Sequence, residues 1–254
     1  MPKSLILLFG LLLCTACSTS TKKEKLDVNK IVQQAIDSSG TDKFDKAIVQ
    51  FQFRNKIYRS IPTCNGLQLQ REFKSDSIAF LDELYQGEFN RFENETFIQV
   101  KDSMANLYAE SINSVHYFVQ LPFRLNDEAV QKKWVGMEKD EQNEYFKIKV
   151  SFAESGGGQD FEDVYYFWLD SDSYLIQYLA YSFKVNGGGI RFRNAIQQTK
   201  VNGITFLDYE NYRPTLEHAK VENSLNDYLK GTYTLLSKIE NSDISVTEVD
   251  LLCD

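Results

Sequence analysis

Two neighbouring runs in this chain carry almost no polar residue. Residues 164–169 are apolar or aromatic throughout, and residues 174–183 are nearly so, with Gln177 and Ser182 as exceptions. Asp170-Ser171-Asp172-Ser173 between them supplies a turn. Successive side chains on a strand point to opposite faces, so this hairpin must be covered on both sides. In an antiparallel sheet that demands a helix on one side and a core or cavity on the other.

The remaining strands read as half-buried. Val49, Phe51 and Phe53 alternate with Gln50, Gln52 and Arg54. Leu67, Leu69 and Phe73 share one parity. Phe146, Ile148, Val150 and Phe152 oppose Lys147, Lys149 and Ser151, which places both lysines on a polar face. Ile190 and Phe192 alternate with Arg191 and Arg193, and Ile204 and Phe206 precede Asp208. The 18 Phe and 14 Tyr, against 4 Pro, suit pleated half-buried surfaces.

Helical spacing is confined to a few segments. Val28, Ile31, Val32, Ala35 and Ile36 predict a helix capped by Asp27 and ended by Gly40. In segment 104–121, Met104, Leu107, Tyr108, Ser111, Val115, Phe118 and Val119 share one helical face, and Pro122 stops the run. This segment is the candidate lid over the hairpin, with a buried strand over 115–121 as the alternative. A second short helix is expected over 128–134. The absence of βα alternation disfavours parallel-sheet folds. The expected fold is α+β and mostly β: a strongly curved antiparallel sheet or incomplete β-barrel, with an N-terminal helix and a helical lid.

The first residues read as an export signal. Lys3 precedes a short apolar run over 5–13, below the ~20 residues that a membrane-spanning helix needs. Thr15-Ala16-Cys17 then resembles a bacterial lipobox, with Cys17 as the acylated residue. A plain signal peptide cut near Ala16 is the alternative. The expected organisation is a signal peptide over 1–16, a lipidated Cys17 with a polar tether over 17–27, and one half-barrel domain over 28–254. Acylation would anchor the chain to the outer membrane, facing the periplasm or the cell surface.

A net charge of -8 without a basic stripe disfavours nucleic acid and any general electrostatic hold on anionic lipid. Only His116 and His218 are available as bases, and no Gly-x-Ser-x-Gly elbow is present, so neither a catalytic residue nor a metal site is expected. His116, inside an apolar run, reads as a core residue. No cofactor is implied. Cys64 and Cys253 are left as a disulfide pair or as two separate thiols. Tyr166, Trp168, Tyr178, Tyr181, Phe183 and Phe118 are candidates for lining a ligand cavity, with plain core packing as the alternative. Arg191 and Arg193 would meet a lipid headgroup or carboxylate if they point inward, and solvent if outward.

Several stretches carry a resemblance. They are Leu121-Pro122-Phe123-Arg124-Leu125-Asn126-Asp127, Trp168-Leu169-Asp170, 178–183, Gly188-Gly189-Ile190-Arg191-Phe192-Arg193 and 203–209. Together they resemble an uncharacterised lipoprotein family of Bacteroidota, over most of 28–240. The plan of helix, long antiparallel strands and embedded helix is also similar to the lipoprotein carriers typified by LolA and LolB. That resemblance implies an incomplete barrel around a hydrophobic cavity. The expected function is therefore a lipid-anchored periplasmic module that binds a lipid or other hydrophobic small molecule without catalysis. A structural or interaction lipoprotein of an envelope complex, with a solid core, is the rival.

Overall fold

The computed structural model describes residues 26–155, 162–184, 187–251 and 253. The expected signal segment, Cys17 and most of the expected tether lie outside the described residues. Helix α1 (Val28–Ser39) starts where the Asp27 carboxylate accepts a hydrogen bond from the Asn29 N–H at 3.0 Å. It ends at Gly40, whose φ of 67° is left-handed. Strands β1 (Ala47–Phe53), β2 (Lys56–Thr63), β3 (Gly66–Ser75), β4 (Ile78–Tyr85), β5 (Glu88–Glu93) and β6 (Thr96–Ile98) then run as consecutive antiparallel hairpins. After α2 (Asp102–Val119) a second series follows: β7 (Val130–Lys139), β8 (Glu144–Phe152), β9 (Val164–Asp170), β10 (Ile176–Phe183), β11 (Gly189–Val201) and β12 (Ile204–Pro214). The chain ends with α3 (Ser224–Leu229), β13 (Tyr233–Ile239) and β14 (Asn241–Glu248).

These strands form two seven-stranded sheets, ordered β14-β1-β2-β3-β4-β5-β6 and β13-β12-β11-β10-β9-β8-β7. Glu240 alone separates β13 from β14. One stretch of chain therefore pairs with β12 in its first half and with β1 in its second. That stretch is the seam between the sheets. The opposite edges, β6 and β7, stay apart, so the fold is α+β, mostly β, and an incomplete barrel.

The β9–β10 hairpin is covered on both faces, as its sequence demands. On the inner face Tyr165, Phe167, Leu169 and Leu179 pack with Ile31, Val32, Ala35 and Ile36 of α1. On the outer face Tyr166, Trp168, Tyr178 and Ala180 form a smaller core with Tyr145, Phe192 and Leu225 of α3. The covers are α1 and α3, not the lid expected from segment 104–121. That segment does form a helix, α2, but it lies mainly across β3, β4 and β5. Only its last turns reach the hairpin, where Tyr117 and Phe118 meet Tyr165 and Phe118 meets Tyr181. Its expected face holds for Tyr108, Ser111, Val115, Phe118 and Val119, which meet the sheets or line the pocket between them, but not at its N-terminal end. Met104 and Leu107 are exposed, while Ile112, His116 and Tyr117 are buried. Beneath that half of α2, Tyr108 meets the Arg91 guanidinium and the Phe89 ring, and Ser111 accepts from Arg71.

Two further expectations are overturned. Residues 128–134 form no helix. They enter β7, whose residues alternate in burial and pair with β8, so period two decides the outcome. Lys147 does not face solvent. It is 5% exposed, beneath the 3-10 turn Val221–Asn223, where its ammonium donates to Glu138 and to the Glu222 carbonyl. Cys64, in the β2–β3 turn, and Cys253, beyond β14, form a disulfide with Cα atoms 5.6 Å apart.

Candidate functional site

At the seam, α2 stands over the inner ends of strands from both sheets and leaves a pocket. Ser114, Val115, Phe118 and Val119 of α2 form one wall. Phe53 and Arg54 close it from the β1–β2 turn, where Arg54 adopts a left-handed φ of 57°. Arg193, Asn211, Ser237, Ile239 and Asn241, from β11, β12, β13 and β14, form the other wall. The volume is about 210 Å³, and one side is open. Pockets for drug-sized ligands run to ~300–1,000 Å³, so this one admits a small molecule or one end of a longer one.

Arg193 dominates the pocket. It stands directly across from Asn211 in the β11–β12 register. Its side chain is turned inward, one of the two orientations its strand allows, and the residue is 7% exposed. Its Cζ lies 3.6 Å over the centre of the Phe118 ring, and among the described residues its side chain makes one hydrogen bond, a long one to the Tyr181 hydroxyl at 3.5 Å. Strand alternation explains this orientation. Phe192 is buried in the outer core beneath α3, so its neighbour must face the inner side. Because both faces of this sheet are covered, polarity does not reveal which face is inside.

The other expected residues divide between the two faces. Phe118 lines the pocket, and Tyr181 lies behind it with ring centres 5.4 Å apart. Phe183 stacks beneath the Arg191 guanidinium at 4.8 Å, and Arg191 donates to the Ile190 carbonyl. Tyr166, Trp168 and Tyr178 belong to the outer core, on the face away from the pocket. Trp168 donates its indole N–H to Glu138, and Tyr178 donates to Asp140. Burial and the Asp140 carboxylate hold the neighbouring Tyr145 phenol up to about 12.

A second polar cluster beneath α2 has no counterpart in the sequence reading. Asp82, fully buried, accepts from the Nε and Nη2 of both Arg71 and Arg91 at 2.6 to 3.1 Å. Arg71 also donates to the Ser111 hydroxyl, and Arg91 lies 4.0 Å over the Tyr108 ring. Lys56 sits over the Phe73 ring, where desolvation and then the Arg71 charge lower its pKa. The signal for this cluster was Arg71 itself, on the apolar parity of Leu69 and Phe73. His116, fully buried, donates Nε2–H to the Gln70 carbonyl, and burial pushes its pKa down to about 4.

Among the described residues, no group of three or more His, Cys, Asp or Glu could hold a metal ion. No described helix is long and apolar enough to cross a membrane.

The architecture is similar to several solved structures at low sequence identity. A LolA superfamily protein from Nitrosomonas europaea is 8% identical over 89% of this chain and 95% of that one, with a TM-score of 0.48. A DUF1329 family protein from Desulfovibrio piger is 11% identical over 86% and 92%, with a TM-score of 0.44. The lipoprotein LppX of Mycobacterium tuberculosis is 10% identical over 65% and 92%, with a TM-score of 0.29. These likenesses assign no role to any residue, and no curated protein matches the chain in sequence. A family match does span the second sheet and α2, over residues 81–241: the chain belongs to the family of unknown function DUF6503.

Proposed function

We propose that this protein is a non-catalytic, ligand-holding module of the bacterial cell envelope, anchored to the outer membrane through an acylated Cys17. Residues 28–254 act as one half-barrel domain, and the ligand carries an apolar group that enters the seam pocket. The observation that carries this reading is the pocket's position. It lies where α2 bridges two sheets joined by a single stretch of chain, and Phe53, Val115, Phe118, Val119 and Ile239 offer it an apolar lining. Its size favours one chain or ring rather than a whole diacyl lipid. The absence of catalysis is part of the proposal. His116, the base nearest the pocket in sequence, is spent on the Gln70 carbonyl and packed edge-on against the stacked Phe51 and Tyr58 rings.

Native mass spectrometry of the full chain, expressed in a bacterial envelope and extracted without added lipid, tests both halves. A co-purifying small amphiphile and a diacylglycerol-sized mass on Cys17 are expected. Repeated recovery of the bare polypeptide would remove the ligand-holding role and leave the structural, interaction-based rival. Recovery without acyl mass on Cys17 would remove the anchor.

A further inference from the structure

We infer that the seam pocket recognises its ligand by an anionic group, a carboxylate or phosphate, seated on the Arg193 guanidinium. This rests on the reading of the pocket as a ligand site and names the chemistry that site selects.

The first observation is an unfilled requirement. A buried guanidinium is costly unless it is paired and hydrogen-bonded. Arg71 and Arg91, similarly enclosed, meet that requirement by sharing Asp82. Arg193 is as deeply placed, yet among the described residues it forms no ion pair. Its Nε has no partner, and its contact to Tyr181 is long. The Phe118 face beneath it offsets part of the charge but fills none of its in-plane donor positions. Those positions suit the planar, two-point geometry of an oxyanion.

The second observation is the company Arg193 keeps. Among the described residues the pocket lining holds a second cation, Arg54, and no acidic residue, in a chain whose net charge is -8. Asp208 lies behind the wall, where it accepts from the Asn241 backbone N–H and amide. That bonding fixes the Asn241 amide so that its Oδ1 is left over. The Asn241 and Asn211 Oδ1 atoms are both buried without partners, and both residues line the pocket. Unsatisfied acceptors on the wall that carries an unsatisfied donor call for a ligand with both functions. An acid bearing an adjacent hydroxyl or amide N–H has them. The apolar wall of Val115, Phe118 and Val119 then receives the first part of its chain. A volume of about 210 Å³ equals the share of about seven waters, so a longer chain leaves through the open side.

The test measures calorimetric binding of matched probes to the full chain: decanoate, decyl phosphate and decanol. Decanoate or decyl phosphate should bind at least ~30-fold more tightly than decanol, the scale of one charge-assisted hydrogen-bonded contact. The preference between the two anions identifies which group the site takes. Arg193→Met replaces the buried charge with an apolar chain of similar length and should fold. It should bring anion affinity down to that of decanol and leave decanol unchanged. Asn211→Asp places a carboxylate across the strand pair from Arg193. It should keep or raise the urea midpoint while abolishing anion binding, because the protein then supplies the missing partner itself. Equal binding of decanol and the anions, indifferent to Arg193→Met, would overturn the anion inference while the ligand site stands. Failure of all three probes to bind the unaltered chain would overturn both.

Discussion

Replacing Asp82 by asparagine keeps the shape of the side chain and removes its charge. Asp82 is fully buried and receives four charge-assisted hydrogen bonds from two guanidinium groups. In the variant Arg71 and Arg91 share no counter-charge, and Arg71 is only 4% exposed. Removing one member of a buried charge pair costs ~3–5 kcal/mol, mostly because the survivor is left uncompensated. For a chain of this size ~1 kcal/mol moves the melting temperature by ~2–4 °C, so a fall of about 6–20 °C is expected. The urea midpoint should drop with little change in slope. Loosening should begin in α2, because Arg71 bonds Ser111 and Arg91 packs on Tyr108. Hydrogen exchange over 102–119 should therefore accelerate before the rest of the chain responds. A triple change, Asp82→Leu with Arg71→Met and Arg91→Met, removes all three charges and should recover to within ~1–2 kcal/mol of the original. If Asp82→Asn alone costs less than ~1 kcal/mol, water reaches the cluster and the reasoning about α2 fails.

Two further outcomes follow from single residues. His116 is depressed from 6.5 to about 4 by burial, so it stays neutral in the fold while the unfolded chain takes up a proton. Its contribution is complete above pH 6.5 and is lost as pH falls toward 4, by up to about 3 kcal/mol. Stability measured from pH 7 to 4 should therefore be flatter in His116→Leu, and parallel curves would refute the assignment. Gly40→Ala should destabilise by ~2 kcal/mol or more, because a Cβ there lies 2.1 Å from the Gly203 carbonyl oxygen at a φ of 67°. Unchanged thermal melting would mean that α1 is not seated against the β11–β12 turn.

The sequence was most legible where one face of an element meets water. Helix α1 was readable to its caps, because Asp27, the Ile31–Ile36 stripe and Gly40 all agree. The demand of β9–β10 for two covers was equally clear, but not the identity of the covers. A cover is a long-range partner, and α3 is a six-residue helix whose contribution rests on Leu225 and Tyr228. The same two-sided burial hid the site. Phe192 and Arg193 look like inside and outside, yet both are enclosed, one by α3 and one by the pocket. The pocket also draws on β1, α2, β11, β12, β13 and β14, which no local pattern can bring together.

The stretch that crosses between the sheets at Glu240 bears on how such a chain acquires its shape. Every residue of β1 that faces β14 waits for a partner about two hundred positions later. A polypeptide emerging N-terminus first can zip the early hairpins but has nothing to lay along their open flank. Only once β14 has emerged can it close that flank, and the Cys64–Cys253 bond then ties the β2–β3 turn to the segment beyond β14. Contacts of such long range delay folding.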